Sequence, residues 1–146
     1  MDRRTLPNDI LLGEVTTVLR EGREAVFTPT GSSMLPFIHG GRDRVVLRRL
    51  ETVSVGDIVL VRLGDRYILH RVYAVDGKHL TLMGDGNLVG QEHCTTADVI
   101  GTVAAVIRPD GRERAPGNGR LWRLLRPLRP LRPLRRVILA FCRRLS

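Results

Sequence analysis

The sequence predicts a single mainly β domain, large enough for one core, opened by one short helix and followed by a basic tail. Three observations predict it. Hydrophobic periodicity is helical only near the N-terminus and then switches to two for the rest of the body. Turn signals such as Gly64-Asp65 and Asp76-Gly77 separate the apolar runs at close spacing, as in a barrel or folded-over sheet. The charge is segregated: residues 1–119 hold 15 basic and 15 acidic groups, whereas residues 120–146 hold nine arginines and no acid, the whole of the net +9.

Residues 8–21 read as an amphipathic helix. Asn8 or Asp9 serves as the cap, Leu11, Val15, Val18 and Leu19 share one face, and Gly22 ends it. Strands are expected at 25–27, 44–48, 58–62, 66–75, 80–82 and 99–108. The Gly64-Asp65 turn joins the third to the fourth, and the Asp76-Gly77 hairpin joins the fourth to the fifth. Residues 1–111 therefore form the β domain and residues 112–119, rich in Gly, Pro and Asn, a linker. Residues 120–146 form a basic amphipathic tail. Within the tail, residues 126–134 repeat Arg-Pro-Leu in the three-residue period of polyproline II. Leu134, Val137, Ile138, Phe141 and Leu145 then fall on one helical face between arginine pairs.

Composition narrows the function. With 146 residues and 42% hydrophobic side chains, the chain can bury a core without staples. A neutral body argues against a nucleic-acid-binding domain, and one aromatic beside the tail arginines offers little base stacking. Two cysteines, Cys94 and Cys142, are too few for a disulfide framework, and a reducing compartment is the default. The histidines and cysteines are scattered without metal-ligand spacing, and His93-Cys94 reads as a loop pair, so neither metal nor cofactor is expected. The charged start lacks the apolar region of a signal peptide, and no run approaches the ~20 apolar residues of a bilayer span. The expected place is the cytoplasm, with the tail able to lie on an anionic membrane surface.

Chemistry concentrates in Gly31-Ser32-Ser33-Met34-Leu35-Pro36, a turn able to present a hydroxyl. A serine in a turn is commonly a turn former, and becomes a nucleophile only beside a base. The single lysine, Lys78, belongs to a hairpin tip and is expected to be solvated and charged. His70 lies on a strand, on the apolar face shared with Ile68 and Val72. There it reads either as a satisfied core residue or as a base kept neutral by burial.

The serine segment, then Val55-Gly56-Asp57-Ile58-Val59-Leu60-Val61, Ile68-Leu69-His70-Arg71-Val72 and Met83-Gly84-Asp85-Gly86-Asn87, occur in that order. Together, over residues 25–107, they resemble the signal-peptidase-type serine peptidases, the group of type I signal peptidases and LexA-like self-cleaving proteins. The resemblance implies a β domain of that kind and a serine endopeptidase acting on a leader or signal-like peptide. Ser33 would be the nucleophile and His70 the base, as in the branch with His in a His-Arg-Val context. The acid orienting His70 would be Asp85, Glu92 or neither. Two departures accompany it. The Gly-Asp after the nucleophile is stretched to Gly40-Gly41-Arg42-Asp43, and the one helix before Ser33 leaves no room for a membrane anchor or a helix-turn-helix domain. The rival readings are a catalytically inactive peptide-binding module and a membrane- or nucleic-acid-tethering module with the tail as its functional part.

Overall fold

The computed structural model describes residues 2–6, 12–31, 34, 35, 37–84 and 90–117. Ser33, Asp85 and the tail at 120–146 lie outside the described residues, as do positions 8–11 of the expected helix. Chain order is β1 (Arg3–Thr5), α1 (Leu12–Arg20), β2 (Glu24–Phe27), β3 (Arg44–Arg48), β4 (Ile58–Leu63), β5 (Arg66–Asp76), β6 (His79–Met83), β7 (Glu92–Thr95), β8 (Val99–Ile107) and β9 (Glu113–Arg114).

α1 buries Val15, Val18 and Leu19, one stripe at i, i+3, i+4. It stops where Gly22 takes φ +75°. The Gly22 N–H donates to Leu19 O (3.1 Å) and the Arg23 N–H to Val18 O (3.3 Å), the paired bonds of a Schellman cap.

The strands run in the order β1-β2-β3-β8-β4-β5-β6-β7, with β9 added to β8. β1 and β2 are parallel; the other pairs are antiparallel. Register shifts at Val46/Leu47, Leu60/Val61 and Val72/Ala74 mark bulges, which bend and twist strands. The sheet therefore folds over and buries both faces. Among the described residues it does not close: no pairing joins β1 to β7, so the expected barrel is an open one. Central β4 shows the consequence. Ile58 and Leu60 join the core under α1, with Phe27, Val45, Leu47 and Val103, while Val59 and Val61 join a second core with Val72, Leu80, Leu82 and Cys94. Each fully buried aliphatic side chain contributes about 1.5–3 kcal/mol by leaving water.

Three strands carry no hydrophobic alternation. β1 is exposed along its length. It is held by main-chain pairing to β2 and by Arg3, whose guanidinium meets Glu24 of β2 (3.1 Å) and Glu113 of β9. β7 buries only Cys94, so His93-Cys94 lies in an edge strand and not in a loop. Burial raises the Cys94 thiol pKa, as does the nearby negative charge of Asp98 and Glu92. β9 falls within the 112–119 segment and extends the sheet by pairing with Val106 and Ile107.

The β2–β3 connection is tightly packed. A Cβ at Gly40 would lie 2.0 Å from Gly31 O, 2.7 Å from Gly31 N and 2.8 Å from Thr30 C, all main-chain atoms. Gly40→Ala is expected to cost about 1–3 kcal/mol, the usual range for overpacking. Gly13→Ala, on the exposed face of α1 with nothing within 4 Å, should leave stability unchanged or raise it. Urea unfolding checks the pair through the midpoint at constant m; a Gly40→Ala midpoint equal to wild type would refute the close packing.

Candidate active site

His70 is placed by β5. The registers Val72↔Leu82 and Leu82↔Glu92 put Val72, Leu82 and Glu92 on one face of the sheet. His70, two residues before Val72, shares that face. The buried imidazole reaches across the strands, and its Nδ1 lies 2.9 Å from Glu92 Oε2. A carboxylate only accepts, so in the neutral imidazole Nδ1 carries the proton and Nε2 keeps the lone pair. Glu92 thereby sets the tautomer and would stabilise the imidazolium once a proton is taken up.

Around this pair lies a cavity of about 400 Å³ whose walls include Gly31, Met34, Tyr67, Leu69, His70 and Glu92. Its walls are about equally polar and apolar, so apolar surface and convergent polar groups, the two components of a ligand site, are both present. Gly31 and Met34, which bracket Ser32-Ser33 in the sequence, are both among the residues that line the cavity with His70. Asp85 lies outside the described residues.

The connection carrying that segment is braced from several sides. The Phe37 and Ile38 N–H groups donate to Met34 O (both 3.0 Å), and the Gly41 N–H donates to Pro29 O (2.7 Å). Met34, Leu35 and Ile38 are buried. Asp43, fully buried, accepts at Oδ2 from the His39 N–H (2.9 Å) and from Arg108 Nη1 (2.7 Å). The stretched Gly40-Gly41-Arg42-Asp43 segment thus ends on an anchored carboxylate. Burial lowers the pKa of His39, against the opposing pull of the Asp43 carboxylate. Arg114 of β9 donates to Phe37 O.

Sequence reasoning assigned no role to Arg71. It is almost fully buried, and its Nη1 donates to Gly56 O and Gly117 O, both at 2.8 Å. Its guanidinium also lies over the Phe37 ring at 5.2 Å from the centroid. Arg71 ties the strand carrying His70 to the turn before β4, to the connection beyond the serine segment and to the chain leaving β9. A charged residue inside an otherwise apolar strand run was the available signal.

Lys78 lies in the two-residue turn between β5 and β6. Six residues of extended chain, about 20 Å, separate His70 from Asp76 at the same turn, so Lys78 is remote from the cavity. Among the described residues, no group of three or more His, Cys, Asp and Glu is arranged to hold a metal ion.

Residues 5–104 match the Peptidase S24-like family. The chain belongs to that family. The match runs from the last residue of β1 into β8 and takes in the serine segment, His70 and Glu92. No curated protein matches the chain. Membership of the S24-like family gives a serine-peptidase-like fold and makes peptide or protein the class of molecule to be bound. β9 and the basic tail lie beyond the matched region. Among the described residues of this S24-like chain, no helix is long and apolar enough to cross a membrane.

Proposed function

We propose that the chain is a serine endopeptidase in which Ser33 is the nucleophile, His70 the general base and Glu92 the acid that orients it. The supporting observation is the 2.9 Å Nδ1–Oε2 contact in the wall of a cavity bounded by both ends of the serine segment. Ser33 Oγ attacks the peptide carbonyl, and its proton passes to His70 Nε2. The Ser33 main-chain N–H and a neighbouring hydroxyl such as Ser32 hold the oxyanion. Collapse expels the leaving amine, which takes the proton from His70, and water then releases the acyl group by the same relay. The sequence resemblance favours a leader or signal-like peptide with small residues before the cut. Treatment of the full chain with a mechanism-based serine acylator, followed by mass mapping, is expected to place the adduct on Ser33. An adduct elsewhere, or none on a chain that cleaves peptide, would overturn the assignment. A chain that binds peptide but neither cleaves nor acylates would be the inactive peptide-binding module.

The tail, on this reading, holds the enzyme on an anionic membrane surface. The segregation of nine arginines, with no acid, into residues 120–146 supports this placement. Each arginine near an anionic surface contributes about 1 kcal/mol. Sedimentation with anionic vesicles should weaken as salt shortens the Debye length from ~10 Å at 0.1 M to ~3 Å at 1 M. Phe141→Asp should remove the salt-resistant remainder. Equal binding to neutral and anionic vesicles would reject the tail as an anchor, and tighter binding to duplex DNA at matched salt would favour a nucleic-acid tether.

A further inference from the structure

We propose that a second site, the groove between the C-terminal end of α1 and the end of β3, binds a phosphate-bearing anion. The groove encloses about 580 Å³ and is lined by Arg20, Arg23, Arg48 and Arg49, with Glu51 the acid among its walls. The body as a whole is electrically balanced, so four arginines converging here form a local concentration of charge. They come from separate stretches: Arg20 ends α1, Arg23 precedes β2, and Arg48 and Arg49 lie at the end of β3 and just past it.

The fold itself uses only part of this charge. Arg20 suits the negative end of the helix dipole, and Arg23 lies 3.6 Å from Glu21. Among the described residues, Arg48 and Arg49 take part in no ion pair. The Val18 and Leu19 carbonyls at the helix end already accept from the cap's N–H groups. Arg23 Nε is buried without an acceptor. A buried unsatisfied donor is costly, and a turn of the Arg23 side chain, which is 36% exposed, would bring it to an oxyanion in the groove. Guanidinium forks match the tetrahedral oxygens of phosphate in pairs, which makes a phosphomonoester or phosphodiester the fitting ligand.

The groove is distinct from the peptidase cavity. Leu12 lines the cavity and Arg20 the groove, at opposite ends of α1 and about 12 Å apart along its axis. The proposal therefore stands apart from the peptidase reading.

The test is a titration of the ¹⁵N-labelled full chain with inorganic phosphate at constant ionic strength. Saturable amide shifts are expected at residues 20–23 and 48–51, and not at 66–70. R48Q/R49Q should weaken the affinity about tenfold or more, the equivalent of one charge-assisted hydrogen bond. Arg23→Lys, which keeps the charge and removes the Nε donor, should weaken it as well. Both Arg48 and Arg49 are exposed, and the thermal midpoint of R48Q/R49Q reports whether its fold is kept. Shifts that do not saturate, that are confined to residues 120–146, or that persist unchanged in folded R48Q/R49Q would overturn the proposal. A further arm separates the sources. Leu50 is exposed (41%) on the groove wall. If Leu50→Asp weakens binding to phosphatidylglycerol vesicles but not to inorganic phosphate, the phosphate belongs to a lipid headgroup. If it changes neither, a soluble phosphate ester occupies the same site. Either result keeps the phosphate site.

Discussion

Ser33→Ala is expected to abolish peptide cleavage and to leave the fold in place. The bonds that brace the connection on either side belong to other residues: Met34 O with the Phe37 and Ile38 N–H groups, Pro29 O with the Gly41 N–H, and Asp43 with His39 and Arg108. Removing one hydroxyl leaves these interactions and the buried Met34, Leu35 and Ile38 unchanged. The chemical loss is of another order. Deleting the nucleophile of a serine peptidase removes a factor on the order of 10⁶ from kcat. Initial rates on a fluorogenic peptide, with the urea midpoint as the fold control, check both halves. Activity within twofold of wild type would remove Ser33 from the mechanism.

His70→Ala should lose roughly 10²–10⁴-fold in kcat, the share usually carried by general acid–base catalysis. Lys78→Ala should retain wild-type activity, because the hairpin tip is remote from the cavity. Glu92→Gln is the more discriminating variant. A glutamine amide can donate to Nδ1, which moves the ring proton to Nε2 and leaves no lone pair to take the serine proton. The same change of tautomer costs about 10⁴-fold in kcat in the serine-protease triad, with geometry kept. The loss here should likewise fall on kcat, with KM nearly unchanged. Reversed ranking of His70→Ala and Lys78→Ala would reject the histidine as base. If Asp85→Asn is inactive while Glu92→Gln is active, Asp85 takes the orienting role.

What separates the parts of this molecule legible in the sequence from those that were not is the range of the interaction that stabilises them. Val15, Val18 and Leu19 mark a helix face within two turns, and Gly22 marks its stop, because both signals act through bonds to residues three to five positions away. The strands at 44–48, 58–62 and 66–75 were readable for a related reason: each buries apolar side chains in a period set by its own backbone. Ser33 and His70 stood out as candidates through the motifs around them, and segregation of nine arginines into residues 120–146 required only counting.

The tertiary structure decided the rest. β1, β7 and β9 are polar strands held at or beside the sheet by main-chain bonds to β2, β6 and β8. No pattern inside Arg3–Thr5, Glu92–Thr95 or Glu113–Arg114 announces them. Because β7 pairs with β6 and β6 with β5, Glu92 arrives beside His70 from 22 positions away. The same long-range pairing buries Arg71 against Gly56 and Gly117 and assembles the arginine groove from α1 and β3. Sequence by itself determined where the apolar strands run and which side chains carry reactive groups. Only non-local strand pairing decided which carboxylate meets the histidine, because that distance is a property of sheet register and not of spacing along the chain.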